Sequence, residues 1–415
     1  MTASRFRSSA ANSPPSDEVV TRPTRPALPP GPWLPLLLLL TSTACVFSFE
    51  VLTTASDGGA DAGAFDAGPS GAFSLSASDE HTCLVRGGPL WCWGTNAEGR
   101  LGDGTTTDAL APVQVGSDQT WVMVSAGTVH TCALKAEGSV WCWGGNGAGQ
   151  LGQGDTTSRT TPTRVALPQG ATMVQSRQSF SCAVLRDASL WCWGANFEGQ
   201  LGLDDGLSTS DHLSPGPVVG NASWAAVTTG QGHACGLQTD GSLWCWGRNT
   251  AAMLGLSVDA GVQLRAPQQV GVDRDWASVD ANQEYTCALK SDRSLWCWGD
   301  LASSTTPTLQ PTRFLSGNWQ RVEANLFHGC ALSLSGAGTC WGRNVEGQLG
   351  LGDNVDRPTP TALLEGPLST ISTGRFHSCQ RRASGSVWCT GANQQGQLGL
   401  GDRVRRNVWT QVTLP

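Results

Sequence analysis

The sequence predicts an all-β fold, a seven-bladed β-propeller of four-stranded antiparallel blades, on three observations. Fourteen of the fifteen cysteines fall into seven pairs of nearly constant spacing. The pairs recur at steps of 43 to 53 residues along a chain of 415, a period that marks arrays and propellers. Between them lie 52 glycines and 18 tryptophans, and no apolar i, i+3, i+4, i+7 pattern persists, which favours short strands and tight turns over helices.

The chain opens with residues 1–44, which read as an export signal. Arg5, Arg7, Arg22 and Arg25 precede the apolar run Leu36–Leu40, too short to span a bilayer but suited to a signal-peptide core. Small residues then lead to Cys45, an arrangement that resembles the lipobox of bacterial lipoproteins and implies a lipidated Cys45 as the new N-terminus. The alternative is a plain signal peptide cleaved near Ala44, leaving Cys45 as a free thiol. Residues 45–71, rich in Gly, Ala and Asp, bury too little surface to order themselves and are expected to form a flexible tether. Asp57, Asp61 and Asp66 lack the spacing of a calcium loop.

From residue 72 the cysteine pairs set the register: Cys83/Cys92, Cys132/Cys142, Cys182/Cys192, Cys235/Cys245, Cys287/Cys297, Cys330/Cys340 and Cys379/Cys389. The best-formed unit, His130–Gly144, reads as two strands around a turn, with Gly138 free to take a left-handed conformation. If Cys132 faces Cys142, then Ala133 opposes Trp141 and Thr131 opposes Trp143. Cys132, Leu134, Val140 and Cys142 share the other face. Both faces are apolar, as a blade packed between neighbours requires. Directly opposed cysteines can bridge without moving the backbone, whereas zinc ligand pairs sit closer in sequence. Seven disulfides within blades are therefore expected, which implies an oxidising compartment. A Trp-Gly-x-Asn-x-x-Gly-Gln-Leu-Gly segment follows each hairpin, seen at Trp143–Gly152, Trp193–Gly202 and Trp341–Gly350. The last copy has Thr390 in place of the leading Trp. A Pro-Val segment and a strand led by Trp121, Trp224, Trp276 or Trp319 complete four strands per repeat.

His-Thr-x-Ala-Leu followed by Trp-x-Trp-Gly-x-Asn-x-x-Gly-Gln-Leu-Gly resembles the regulator of chromosome condensation repeat, over about residues 72–415. The resemblance implies a seven-bladed propeller and a general role as an interaction platform. The nucleotide-exchange and chromatin role of the family's best-known member does not carry over to an exported, acidic chain. Because the first repeat opens at Phe73 without a leading Pro-Val strand, the C-terminal segment Asn407–Val412 is predicted to complete the first blade and lock the ring.

Candidate chemistry is sparse. His81, His130, His233, His328 and His377 each stand two before the first cysteine of a blade, where Phe180 and Tyr285 stand in repeats three and five. Spread around a ring, they are expected to be structural, each hydrogen-bonded within its blade, and not metal ligands. Thr239–Trp244 faintly resembles a sialidase Asp-box, but the spacing fails. Asp103, Asp353 and Asp402 read as turn formers. No catalytic residue, cofactor or metal site is identified, and a non-enzymatic chain is expected. The net charge of −7, with Lys135 and Lys290 the only lysines, argues against a nucleic-acid partner. The expectation is a monomeric, lipid-anchored interaction or scaffolding propeller in the bacterial envelope, secreted if Cys45 is not acylated. A carbohydrate-binding adhesin and an enzyme with an unrecognised site are the rivals. Departures from the repeat point to the binding surface: the insertion at Asp204–Pro217, the variant loop Ser257–Ala266, and the shortening after Gly299.

Overall fold

The computed structural model describes residues 71–203, 209–256, 261–301 and 307–415. The signal segment, Cys45 and nearly all of the tether lie outside the described residues. Twenty-eight strands form seven four-stranded antiparallel sheets, the seven blades that the cysteine register predicts. In the second blade the strands are Trp121–Ala126 innermost, then His130–Lys135, Val140–Gly144 and Arg159–Arg164 outermost.

The expected pairing is observed residue for residue: Thr131 opposes Trp143, Cys132 opposes Cys142, and Ala133 opposes Trp141. The two faces of this hairpin enter different apolar clusters. Ala133 and Trp143 pack toward the first blade with Val85 and Leu101; Cys132, Leu134 and Val140 pack toward the third with Val174 and Trp193. The core is thus a series of wedges between blades.

All seven cysteine pairs are disulfides at the same place in each hairpin. Cys83 is joined to Cys92, Cys132 to Cys142, Cys182 to Cys192 and Cys235 to Cys245. Cys287 is joined to Cys297, Cys330 to Cys340 and Cys379 to Cys389. In every pair the Cα atoms are 4.1 Å apart, as for directly opposed residues. The shorter first hairpin turns through Gly87 and Gly88, both at positive φ. Its closing bond runs from the Arg86 N–H to the Pro89 carbonyl, so proline serves as acceptor only.

Ring closure differs from the expectation. The C-terminal strand Arg406–Gln411 pairs with Val387–Gly391 of its own, seventh blade. The first blade is complete without it, from Phe73–Ala77 to Ala109–Gln114. The physical reason lies in the unit of folding. Each outer strand is bound to the preceding hairpin by the loop between them, so every blade is contiguous in sequence and Phe73 takes the place of Trp121, not of a missing fourth strand. The first and seventh blades meet instead through side chains and loop backbone: Ser372 Oγ accepts from the Ala77 N–H at 3.0 Å, the Trp93 indole N–H donates to the Gln397 carbonyl at 2.9 Å, and the Arg375 and Gly401 N–H groups donate to the Ser78 and Leu110 carbonyls at 3.2 and 2.8 Å.

Candidate functional site

The histidines hold blades to one another. Each imidazole Nε2 reaches the hydroxyl beside the first cysteine of the next blade: His81 to Thr131 at 2.9 Å, His130 to Ser181 at 2.8 Å, His233 to Thr286 at 3.1 Å, His328 to Ser378 at 2.8 Å, and His377 to Thr82 at 2.8 Å. This corrects the expectation of bonds within each blade, although His81 also meets Ser78 Oγ of its own blade through Nδ1 at 3.2 Å. Most of these hydroxyls also donate to a loop carbonyl of the preceding blade, as Thr131 does to Arg100 and Thr286 to Met253. A hydroxyl whose one proton is so used can only accept from the ring, which makes Nε2 the protonated nitrogen. Burial holds His130, His233, His328 and His377 down to about 3 and lowers His81 well below its usual value.

Where the histidine changes, its partner changes too. Phe180 faces Ala234, which has no hydroxyl to orphan, and Tyr285 is followed in the next blade by Gly329. The Tyr285 hydroxyl turns to backbone, donating to the His328 carbonyl and accepting from the Asn325 N–H, both at 3.3 Å.

The disulfide cysteines belong to the scaffold and not to a binding site. The first members, Cys83, Cys132, Cys182, Cys235, Cys287, Cys330 and Cys379, stand on second strands. The second members, Cys92, Cys142, Cys192, Cys245, Cys297, Cys340 and Cys389, stand on third strands. All fourteen are sealed from solvent, so the sulfurs serve as buried struts out of reach of any ligand.

The other sequence candidates are structural. Asp103, Asp353 and Asp402 accept from the N–H two residues on, and Asn96, Asn344 and Asn393 of the repeat motif donate to those same carboxylates. Asp240, in the Asp-box-like segment, caps its turn through Ser242. His212 begins an outer strand. Both lysines lie over tryptophan rings, Lys135 over Trp121 and Trp141, Lys290 over Trp276 and Trp296, and each pairs with an aspartate, Asp118 or Asp273.

Two features do stand out from the repeat, one on a face of the ring and one along its axis. The loops after each third strand return beside the turns between first and second strands, as the Ala392 N–H does to the Phe376 carbonyl and the Ala195 N–H to the Ser179 carbonyl. On this loop face, the residue before the histidine position is Glu80, Val129, Ser179, Gly232, Glu284, Phe327 and Phe376 in turn. Phe327 and Phe376 stack with ring centroids 5.2 Å apart. The Arg343 guanidinium lies 5.0 Å from the Phe327 ring and that of Arg375 5.1 Å from Phe376. The result is a Phe/Arg platform across the sixth and seventh blades, with Phe327, Phe376 and Arg375 half-buried and Arg343 exposed. The three irregular segments also follow third strands; their residues 204–208, 257–260 and 302–306 lie outside the described residues, and the expected insertion Asp204–Pro217 includes the outer strand His212–Pro217, as the expected variant loop Ser257–Ala266 runs into the strand Gln263–Gln269.

The second feature lines the axis. The inner-strand residue opposite each blade's first cysteine is Ser76, Ser125, Gln175, Thr228, Asp280, Glu323 or Ser372. Four of the hydroxyls accept a backbone N–H from the following blade, Ser76 from Ala126 and Thr228 from Ala281 among them. At Asp280 a carboxylate takes that role toward the Ala324 N–H. Burial, with Glu323 beside it, raises the Asp280 pKa well above the usual carboxylate range, and Arg177 opposes the shift. Sequence reasoning missed both features; comparing the copies at these two columns would have shown them.

The fold is a disulfide-stapled seven-bladed propeller that carries a Phe/Arg platform on its loop face. Two sequence models of the Regulator of chromosome condensation (RCC1) repeat match the chain. One covers residues 87–134, 137–184, 187–237 and 340–380, the other residues 122–150, 224–251 and 369–397. The chain belongs to this repeat family. Neither model covers residues 252–339, the stretch with the variant and shortened loops.

Among solved structures, Prp20p from Saccharomyces cerevisiae, described together with its binding to Gsp1p and histones, is similar at 20% identity and a TM-score of 0.69, over 82% of this chain and 88% of that one. Yeast RCC1 (Prp20) bound to Kap60 is similar at 19% and 0.69, over 88% and 90%. Human WBSCR16 is similar at 21% and 0.67, over 74% and 85%. At these identities the likeness shows the fold. No curated protein matches the sequence.

Proposed function

We propose that this chain is a non-catalytic interaction propeller, tethered to the bacterial envelope by lipid on Cys45, that presents its loop face to a protein partner. The observation that carries this reading is the Phe/Arg platform. Aromatic and arginine side chains are the usual anchors of protein interfaces, and the other blades hold their shape with Glu, Val, Ser or Gly in the same position. Cys45 is the one cysteine outside the seven disulfides, and the acidic Gly/Ala tether suits a domain held off a membrane surface. The family's solved members that bind Gsp1p, histones or Kap60 make protein binding a natural use of the scaffold.

Two experiments test the two halves of the reading. Crosslinking in native envelopes followed by mass spectrometry should recover one recurrent protein, and replacing residues 204–210 by a short Gly-Ser linker, which spares the outer strand His212–Pro217, should weaken its capture; an unchanged profile refutes the loop-face assignment. Intact mass of the membrane fraction should show acyl chains on Cys45, and a mature N-terminus without them refutes the anchor.

A groove of ≈ 680 Å³ between the fourth and fifth blades, lined by Trp276, Trp296, Gln268, Gln269 and Gln310, favours one second reading, a carbohydrate ligand. Rings and amides are the side chains that stack on and hydrogen-bond a sugar. A glycan array with the purified domain decides it.

A further inference from the structure

The axial cavity holds more charge than the ring needs. Hydroxyls at this layer suffice to join neighbouring blades at four interfaces. Yet the fifth and sixth blades place Asp280 and Glu323 there, and Arg177 and Arg321 line the same cavity. Arg177, Asp280 and Glu323 are partly withdrawn from water while Arg321 keeps 44% of its side chain exposed; charge so withdrawn is costly unless paired, and its gathering at one spot calls for a use.

Not all of it is paired. Arg321 donates through Nε to Glu323 at 2.7 Å, and Asp280 accepts from the Ala324 N–H and from the Thr228 hydroxyl. Among the described residues no side chain hydrogen-bonds the Arg177 guanidinium, which retains its fork of donors. Thr373 also lines the cavity, is 2% exposed, and its hydroxyl has no partner.

Size and polarity limit what could bind. The cavity measures ≈ 110 Å³, against roughly 10–15 Å³ for one water on the same measure, so it admits a small polar molecule and no side group of any bulk. A simple anion would meet Asp280 and Glu323, and a simple cation would meet Arg177 and Arg321. A molecule carrying both charges meets each with its opposite.

We propose that the axial cavity binds a small zwitterion, an α-amino acid with a short side chain, its carboxylate on Arg177 and the Thr373 hydroxyl and its ammonium on Asp280 and Glu323. This site is separate from the Phe/Arg platform and stands or falls independently of a protein partner.

Titration calorimetry of the purified, disulfide-intact chain with glycine, L-alanine and L-serine tests it, with acetate and methylammonium as half-ligand controls. Saturable binding of at least one amino acid is expected, about tenfold or more tighter than either half-ligand. Arg177→Gln and Asp280→Asn should each weaken it by a similar factor, and Arg164→Ala, on the outer strand of the second blade, should leave it unchanged. The asparagine keeps the acceptor for the Ala324 N–H, and matched circular dichroism and melting temperature establish that the variants fold. Should Arg177→Gln not fold, Arg177→Lys and Glu323→Gln serve in its place. Absence of binding by all three amino acids overturns the proposal, as does equal binding of a half-ligand or binding unchanged in the variants.

Discussion

At the scale of single residues, the informative positions come in coupled pairs that straddle two blades. His130 and Ser181 make one such bond at 2.8 Å, while Phe180 and Ala234 fill the same two positions one blade later. Phenylalanine placed against Ser181 would press a larger ring on a hydroxyl that has lost its donor. His130→Phe alone should therefore lower stability by about 1–3 kcal/mol, and adding Ser181→Ala should return much of that loss. Urea unfolding of the single and double variants measures the coupling; additive losses would contradict the pairing. The buried imidazoles also set an acid limit. Below the ordinary histidine value of 6.5, the unfolded chain takes up protons that four of these rings refuse until about 3. Their contribution is complete above the unfolded value and is lost as pH falls toward the folded one, by about 1.4 kcal/mol per histidine per pH unit. The urea midpoint under non-reducing conditions should fall steeply from about pH 6.5 to about pH 4.5, and a flat profile would contradict neutral, buried histidines.

At the scale of the strand and hairpin, the repeat tolerates a substitution only when a second strand compensates. Six third strands carry a tryptophan after the second cysteine, from Trp93 to Trp341, and six outer strands carry a proline at a common register, from Pro112 to Pro360. The seventh blade inverts both, with Thr390 for the tryptophan and Trp409 for the proline. Trp409 is 6% exposed and packs beneath Gly350, as Trp143 does beneath Gly102 and Trp193 beneath Gly152; these glycines take positive φ and leave no room for a Cβ. The Thr390 hydroxyl donates to the Gly347 carbonyl at 2.9 Å. Trp409→Ala should cost about 3–5 kcal/mol. Thr390→Trp with Trp409→Pro restores the common pattern and should melt well above Trp409→Pro alone; equal melting temperatures would contradict the exchange. The cysteine register, hairpin pairing and turn aspartates were legible here because each is set within some fifteen residues of sequence. A disulfide closing a loop of ten residues contributes about 2.7 kcal/mol in the chain-entropy model, a local constraint that recurs in every blade.

At the scale of the whole molecule, what escaped the sequence was whatever depends on which blade abuts which. The ring bonds of His377 to Thr82 and of Trp93 to Gln397 join residues about 300 apart, and no local pattern fixes the phase at which the repeat is cut into blades. Deleting residues 404–415 separates the two closures. Hydrogen exchange should then lose protection in Val387–Gly391, the partner of the deleted strand, and keep it in the first blade; deprotection centred on Leu90–Gly94 would restore the closure first expected. The proposed binding face was hidden for the same reason. Phe327 and Phe376 are 49 residues apart in sequence, yet their rings are 5.2 Å apart once neighbouring blades stand side by side.

That face carries the functional account, and it can be tested position by position. A photo-crosslinking residue introduced at Arg343 or Val345, both exposed on the loop face, is compared with one at Leu334 or Leu364, exposed by 54% and 99% among the hairpin turns and blade connections of the opposite face. After irradiation of intact envelopes, the account predicts a shared protein adduct from Arg343 and Val345 and none from Leu334 and Leu364. Adducts from the opposite face alone, or equally from both, would contradict it.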